Sequence, residues 1–135
     1  MSRCKKVAVY CRTAREDDFA IGRQAEIVRS YAKEHGYNNL ALYVDNGTSG
    51  LVLDRPALNR LKRHIAEGRI KAVIVLEMSR VSRNCFDVLT WIDSLRQSGV
   101  SFVSVGDSIS DDMIENKAEL FQRFCEYLKQ KDNLV

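Results

Sequence analysis

Residues 7–44 read VAVYCRTAREDDFAIGRQAEIVRSYAKEHGYNNLALYV. The first five, Val7–Cys11, are a short apolar run rich in valine, the pattern of a strand covered on both faces. Ala20–His35 then places Ala20, Ile21, Ile27, Val28, Tyr31 and Ala32 at helical spacing and stops at Gly36, a residue suited to the left-handed position after a helix. Leu40–Val44 returns to a short apolar run. Strand, helix, strand within 38 residues is the signature of a parallel βαβ crossover.

The same alternation continues. Pro56–Glu67 is a second helical pattern, with proline at its start and Gly68 at its end. Ala72–Leu76 is a third strand, Phe86–Gln97 a third helix closed by Gly99, and Val100–Val105 a fourth strand. The expected fold is α/β and three-layered, with a mostly parallel sheet of four to five strands and helices on both faces. Met113–Lys129 follows as a C-terminal helix whose Ile114, Ala118, Phe121, Cys125 and Leu128 form one apolar stripe. That stripe either packs on the core or faces a partner.

Composition agrees with one globular domain. The chain has 135 residues, 45% hydrophobic and 29% charged, and no apolar run near the ~20 residues of a membrane span. Nothing at the N-terminus reads as a signal peptide, so a cytoplasmic location is expected. Twenty-one Lys and Arg against 18 Asp and Glu give +3, too mild to signal nucleic acid by itself. Cys4, Cys11, Cys85 and Cys125 have no metal or redox spacing and read as buried thiols. His35 and His64 lie near helix C-termini, where the helix dipole favours them.

In parallel α/β folds ligands bind at the carboxyl ends of the strands. Those ends carry Arg12, Arg55, Arg80 and Arg83, with Asp45 and Asp54 as the nearby acids. Guanidinium is the usual group for bidentate phosphate recognition, so an anionic ligand is expected there. No G-x-x-x-x-G-K-[ST] or G-x-G-x-x-G loop is present in the sequence. A cation site of receiver type would need carboxylates where Arg12 and Ser79 stand, so no metal is expected. If the first strand runs on through Ala14, then Tyr10, Arg12 and Ala14 share one face and Thr13 points to the other.

These blocks resemble the serine site-specific recombinases, the resolvase/invertase family. The resemblance rests on Tyr10-x-Arg12, on Gln24, on Asp45-x-Gly47-x-Ser49-Gly50 with Asp54-Arg55-Pro56, and on Ser79-Arg80-Val81-Ser82-Arg83-Asn84. The last block is most similar to large-serine and transposon-type members, and the match runs from about Lys6 to Asp107. It implies a resolvase-like catalytic domain over residues 1–111, with 112–135 a possible dimerisation or linker helix. In the family a serine two residues after the first arginine attacks the DNA backbone phosphate, leaving a 5′-phosphoserine bond and a free 3′-OH without cofactor or metal. By that resemblance Arg12, Arg80 and Arg83 surround the phosphate, Arg55 assists, Asp45 and Gln24 order the site, and Tyr10 lies beneath it. The implied partners are double-stranded DNA, read by a separate domain absent from these residues, and further copies in a dimer or tetramer.

Two departures stand out. Position 14, where the family pattern requires serine, holds Ala14, and a methyl group cannot be a nucleophile. The segment Glu115–Val135 aligns poorly with the family's long dimer helix. The expected chain is therefore a recombinase catalytic domain unable to cleave; the alternative is a non-catalytic dimerisation or regulatory module.

Overall fold

The structure, a computed structural model, describes residues 5–49, 55–107 and 122. The apolar runs become β1 (Lys6–Thr13), β2 (Leu40–Asn46), β3 (Ile70–Val75) and β4 (Ser101–Ser104). Between them lie α1 (Asp18–Glu34), α2 (Pro56–Ala66), a 3₁₀ turn (Met78–Arg80) and α3 (Cys85–Gln97). All strand pairs are parallel, in the order β2-β1-β3-β4. Four strands are thus present among the described residues, and the strand order reverses between β1 and β3.

Side-chain alternation along the central strands divides the core in two. Val7, Val9, Cys11, Ala72, Ile74 and Val103 pack under Ala25, Val28 and Ala32 of α1. Ala8, Tyr10, Val73, Val75 and Phe102 face the opposite way, against Leu58 and Leu61 of α2 and Val88, Trp91, Ile92 and Leu95 of α3. The three-layer expectation holds for these residues. Cys11 is a buried free thiol, as expected. Cys4, Cys125, Asp54 and the stripe of the C-terminal helix lie outside the described residues.

Local chemistry sets the helix ends. Asp17 accepts from the Ala20 N–H at 3.0 Å and caps α1, while Asn84 accepts from Phe86 and Asp87 and caps α3. Gly36 and Gly99, at φ 76° and 74°, end α1 and α3 in the backbone region that glycine enters without strain. Beyond β4, Gly106 comes so close to β3's exit that its N–H donates to the Leu76 carbonyl at 2.6 Å.

A Cβ on Gly106 would meet the Leu76 carbonyl oxygen at 2.8 Å, whereas one on Gly22 of α1 meets nothing within 4 Å. Gly106→Ala should therefore lower stability by roughly 1–3 kcal/mol through backbone displacement. Gly22→Ala should raise it by about 0.5–1 kcal/mol through helix propensity. Urea unfolding of the two variants checks both signs.

Candidate functional site

The last residues of β1 are held from both faces of the sheet. From α1, the buried Gln24 pairs its amide head to tail with the Arg12 peptide. Its Oε1 accepts from the Arg12 N–H at 3.2 Å, and its Nε2 donates to the Arg12 carbonyl at 2.9 Å. On the other side the Arg12 guanidinium, 4% exposed, donates from each nitrogen to a backbone carbonyl. Nε reaches Arg80 at 2.9 Å, Nη1 reaches Thr48 at 2.7 Å and Nη2 reaches Ser79 at 3.0 Å. Arg12 thereby ties together the loops that follow β2 and β3.

Asp45, at the end of β2, makes the second tie. Its carboxylate accepts from the Tyr10 hydroxyl at 2.8 Å and from the Ala57 and Leu58 N–H groups at 2.9 and 3.0 Å. Helix α2 has Pro56 in its first turn and Arg55 at its cap position, without a side-chain cap of its own. A strand residue supplies the cap instead, and its negative charge suits the helix N-terminus. Arg55, 1% exposed, then donates through Nη1 to the Tyr10 hydroxyl at 3.1 Å and to the Arg80 carbonyl at 3.0 Å.

The 3₁₀ turn completes the cluster. Arg80 donates through Nη1 to the Arg12 carbonyl at 3.2 Å and through Nη2 to Glu77 Oε1 at 3.2 Å. Its Nε is buried and has no hydrogen-bond partner. Asp107 anchors the start of the turn, accepting from the Met78 N–H and the Ser104 hydroxyl, both at 2.7 Å.

The structure therefore brings together Tyr10, Arg12, Gln24, Asp45, Arg55 and Arg80, with Arg83 exposed beside them. It corrects the expected charge balance. Glu77 pairs with Arg80, and Asp45 is a buried helix cap rather than a loose counterion. Glu77 and Asp107 were missed by sequence reasoning, although each is the first acid after its strand. The course of the chain at Ala14 is corrected too. β1 ends at Thr13 and the chain bends at an exposed Ala14. The reason is local: the Thr13 carbonyl accepts from the Gly47 and Thr48 N–H groups at 3.0 and 2.8 Å. Its hydroxyl donates to Asn46 Oδ1 at 2.7 Å. Those bonds turn Thr13 away from the arginines, as alternation predicts, and end the pleat before residue 14.

Packing cations together has an electrostatic cost. Burial lowers the Arg12 pKa to about 10, and the charges of Arg55, Arg80 and Arg83 push it the same way against the opposing effect of Tyr10. Burial raises the Tyr10 phenol far above its usual value. The hydroxyl thus stays protonated, as its donation to Asp45 requires. An anion at this edge would offset the mutual repulsion of the guanidinium groups. Among the described residues no group of three His, Cys, Asp or Glu could hold a metal ion, and no helix is long and apolar enough to cross a membrane.

With this geometry in view, the comparisons with known proteins are direct. The chain belongs to the resolvase N-terminal domain family, which matches residues 7–132. In fold and family it is a serine recombinase catalytic domain. A resolvase of Clostridium perfringens is 27% identical over 112 residues, covering 83% of this chain and 55% of that protein. The transposon Tn552 DNA-invertase BinR of Staphylococcus aureus is 30% identical over 88 residues, covering 64% and 45%. A Bacillus subtilis (strain 168) relative is 32% identical over 100 residues, of which this chain spans only 20%. The chain thus spans about half the length, or less, of these three relatives. The crystal structure of the N-terminal catalytic domain of TP901-1 integrase superposes with a TM-score of 0.76 at 28% identity, covering 96% of this chain and 98% of that one.

Asp45→Ala would leave three donors, two of them backbone groups of α2, without their acceptor. It should cost roughly 3 kcal/mol or more in chemical denaturation. Asp45→Asn should also destabilise, because its NH₂ must face one of the same donors.

Proposed function

We propose that this chain grips a DNA backbone phosphate at the carboxyl edge of its sheet, through Arg80 and Arg83 supported by Arg12 and Arg55, and cannot cleave it. The observation that carries the reading is an assembled arginine cluster beside a bend whose residue 14 is alanine. Gln24, Asp45 and Tyr10 act as positioning residues, holding Arg12, the start of α2 and Arg55 as described above. Among the described residues, the hydroxyls of Thr13, Ser79 and Ser82 are not placed to replace the missing one. Thr13 is bonded to Asn46, and Ser79 and Ser82 are buried at 6% and 0% exposure.

A serine at position 14 would supply the family's chemistry. Its oxygen attacks the phosphorus, a phosphoserine bond forms as the bond to the 3′ oxygen breaks, and the departing oxygen takes up a proton. Guanidinium groups stabilise the charge that builds on the phosphoryl oxygens. The alternative is a dimerisation or regulatory module, for which Arg12 and Arg55 serve as scaffold through their bonds to the Ser79, Arg80 and Thr48 carbonyls.

The test places this domain in an intact recombinase with its own DNA-reading domain and cognate site, and looks for protein joined to a 5′ DNA end on a denaturing gel. The parent should form no adduct and Ala14→Ser should form one. Adding Arg80→Ala should slow the restored reaction by about 10²–10³-fold. An adduct from the parent would mean another nucleophile. No adduct from Ala14→Ser on bound cognate DNA would favour the regulatory module. Residues 1–135 alone should bind duplex DNA weakly, with Kd of order 10⁻⁴–10⁻⁶ M and steep salt dependence.

A further inference from the structure

The opposite edge of the sheet carries a second array of cations. Lys6 opens β1 with Lys5 just before it, and Arg69 and Lys71 flank the start of β3, its neighbour in the sheet. The Lys6 N–H donates to the Arg69 carbonyl at 2.9 Å, so these four residues occupy one continuous strip. Arg63 and Arg60 extend it along the last turns of α2, Arg60 with its guanidinium 5.2 Å from the Tyr43 ring centroid. The Arg69 charge reaches both Tyr43 and His64. Glu67 stands within the strip, 3.3 Å from Arg69 and 4.0 Å from Arg63.

Helix-end preference explains part of this. Cations favour the negative C-terminal end of a helix, which accounts for Arg63. It does not account for Lys5, Lys6, Arg69 and Lys71, which sit at strand starts and are all exposed. The carboxyl edge is mixed: exposed Arg15 and Arg83 stand there with exposed Glu16, Asp17 and Asp18, while Arg12 and Arg55 are buried. The modest net charge of +3 conceals a second run of exposed cations, at the edge opposite the arginine cluster.

We infer that this amino edge is a second contact surface for the duplex DNA backbone. The inference takes from the proposed function only that DNA is the polyanion handled. Charge complementarity selects the occupant: DNA carries about one negative charge per 1.7 Å of axis, and cations fixed along a rigid sheet edge meet it without reading bases. The eight residues of β1 separate the two edges by about 26 Å. The strip and the arginine cluster therefore reach different phosphates.

The test uses residues 1–135 and a short duplex of arbitrary sequence, with affinity followed against salt by fluorescence anisotropy. Replacing Lys5, Lys6, Arg69 and Lys71 together by Gln should reduce the slope of log K against log salt by about 3. It should also weaken binding more than ten-fold at low salt. The pair Lys5→Gln/Lys71→Gln should give about half that change in slope, guarding against misfolding of the fourfold variant. Arg83→Gln should change the slope by no more than about 1. Unchanged binding by the fourfold variant together with loss in Arg83→Gln would overturn the inference and leave the proposed function standing. No measurable binding by the parent at low salt would overturn both. Competition by polyglutamate of matched charge as effective as by DNA would assign the strip to acidic proteins instead.

Discussion

One carboxylate holds the site in shape. Asp45 lies next to the end of β2 but serves α2, accepting two of its first backbone N–H groups while taking the Tyr10 hydroxyl from the central strand. Helix α2 opens with proline and has no side-chain cap from its own sequence, so its start is defined by a residue twelve positions upstream. Arg55 immediately precedes that start, and its contact with Arg80 depends on where α2 begins. A carboxylate accepting three hydrogen bonds in a buried setting specifies geometry more tightly than apolar packing does.

The arginines themselves divide by role. Arg12 and Arg55 are the scaffold, with guanidinium nitrogens committed to the carbonyls of Ser79, Arg80 and Thr48 and to the Tyr10 hydroxyl. Arg80 is the member with a buried nitrogen still unsatisfied, and Arg83 is the exposed one. Guanidinium suits the scaffold role because it is planar, always charged and able to donate in several directions at once.

Much of this was legible in the sequence. The apolar runs and glycine stops located every strand and helix of the described region, because each element is covered by others and its pattern is strong. The grouping of Arg12, Arg55 and Arg80 followed from parallel topology alone. Two things were not legible. Alternation could not place Ala14, because the bonds that stop β1 come from Asn46, Gly47 and Thr48, 33 to 35 residues later. The roles of Glu77 and Asp107 were hidden because an acid after a strand looks the same whether it is solvated or anchors a turn. Only the 2.7 Å contacts of Asp107 with Met78 and Ser104 show which.

Closure of the arginine network on the protein's own carbonyls has an evolutionary consequence. Ala14 is exposed, and none of the bonds that assemble the cluster passes through its side chain. Exchange between serine and alanine at such a surface position changes stability by no more than about 0.5 kcal/mol. Selection for folding is therefore blind to which of the two residues stands at position 14. Either residue leaves a stable, arginine-bearing domain, so the scaffold of the cluster and the identity of residue 14 are free to vary independently.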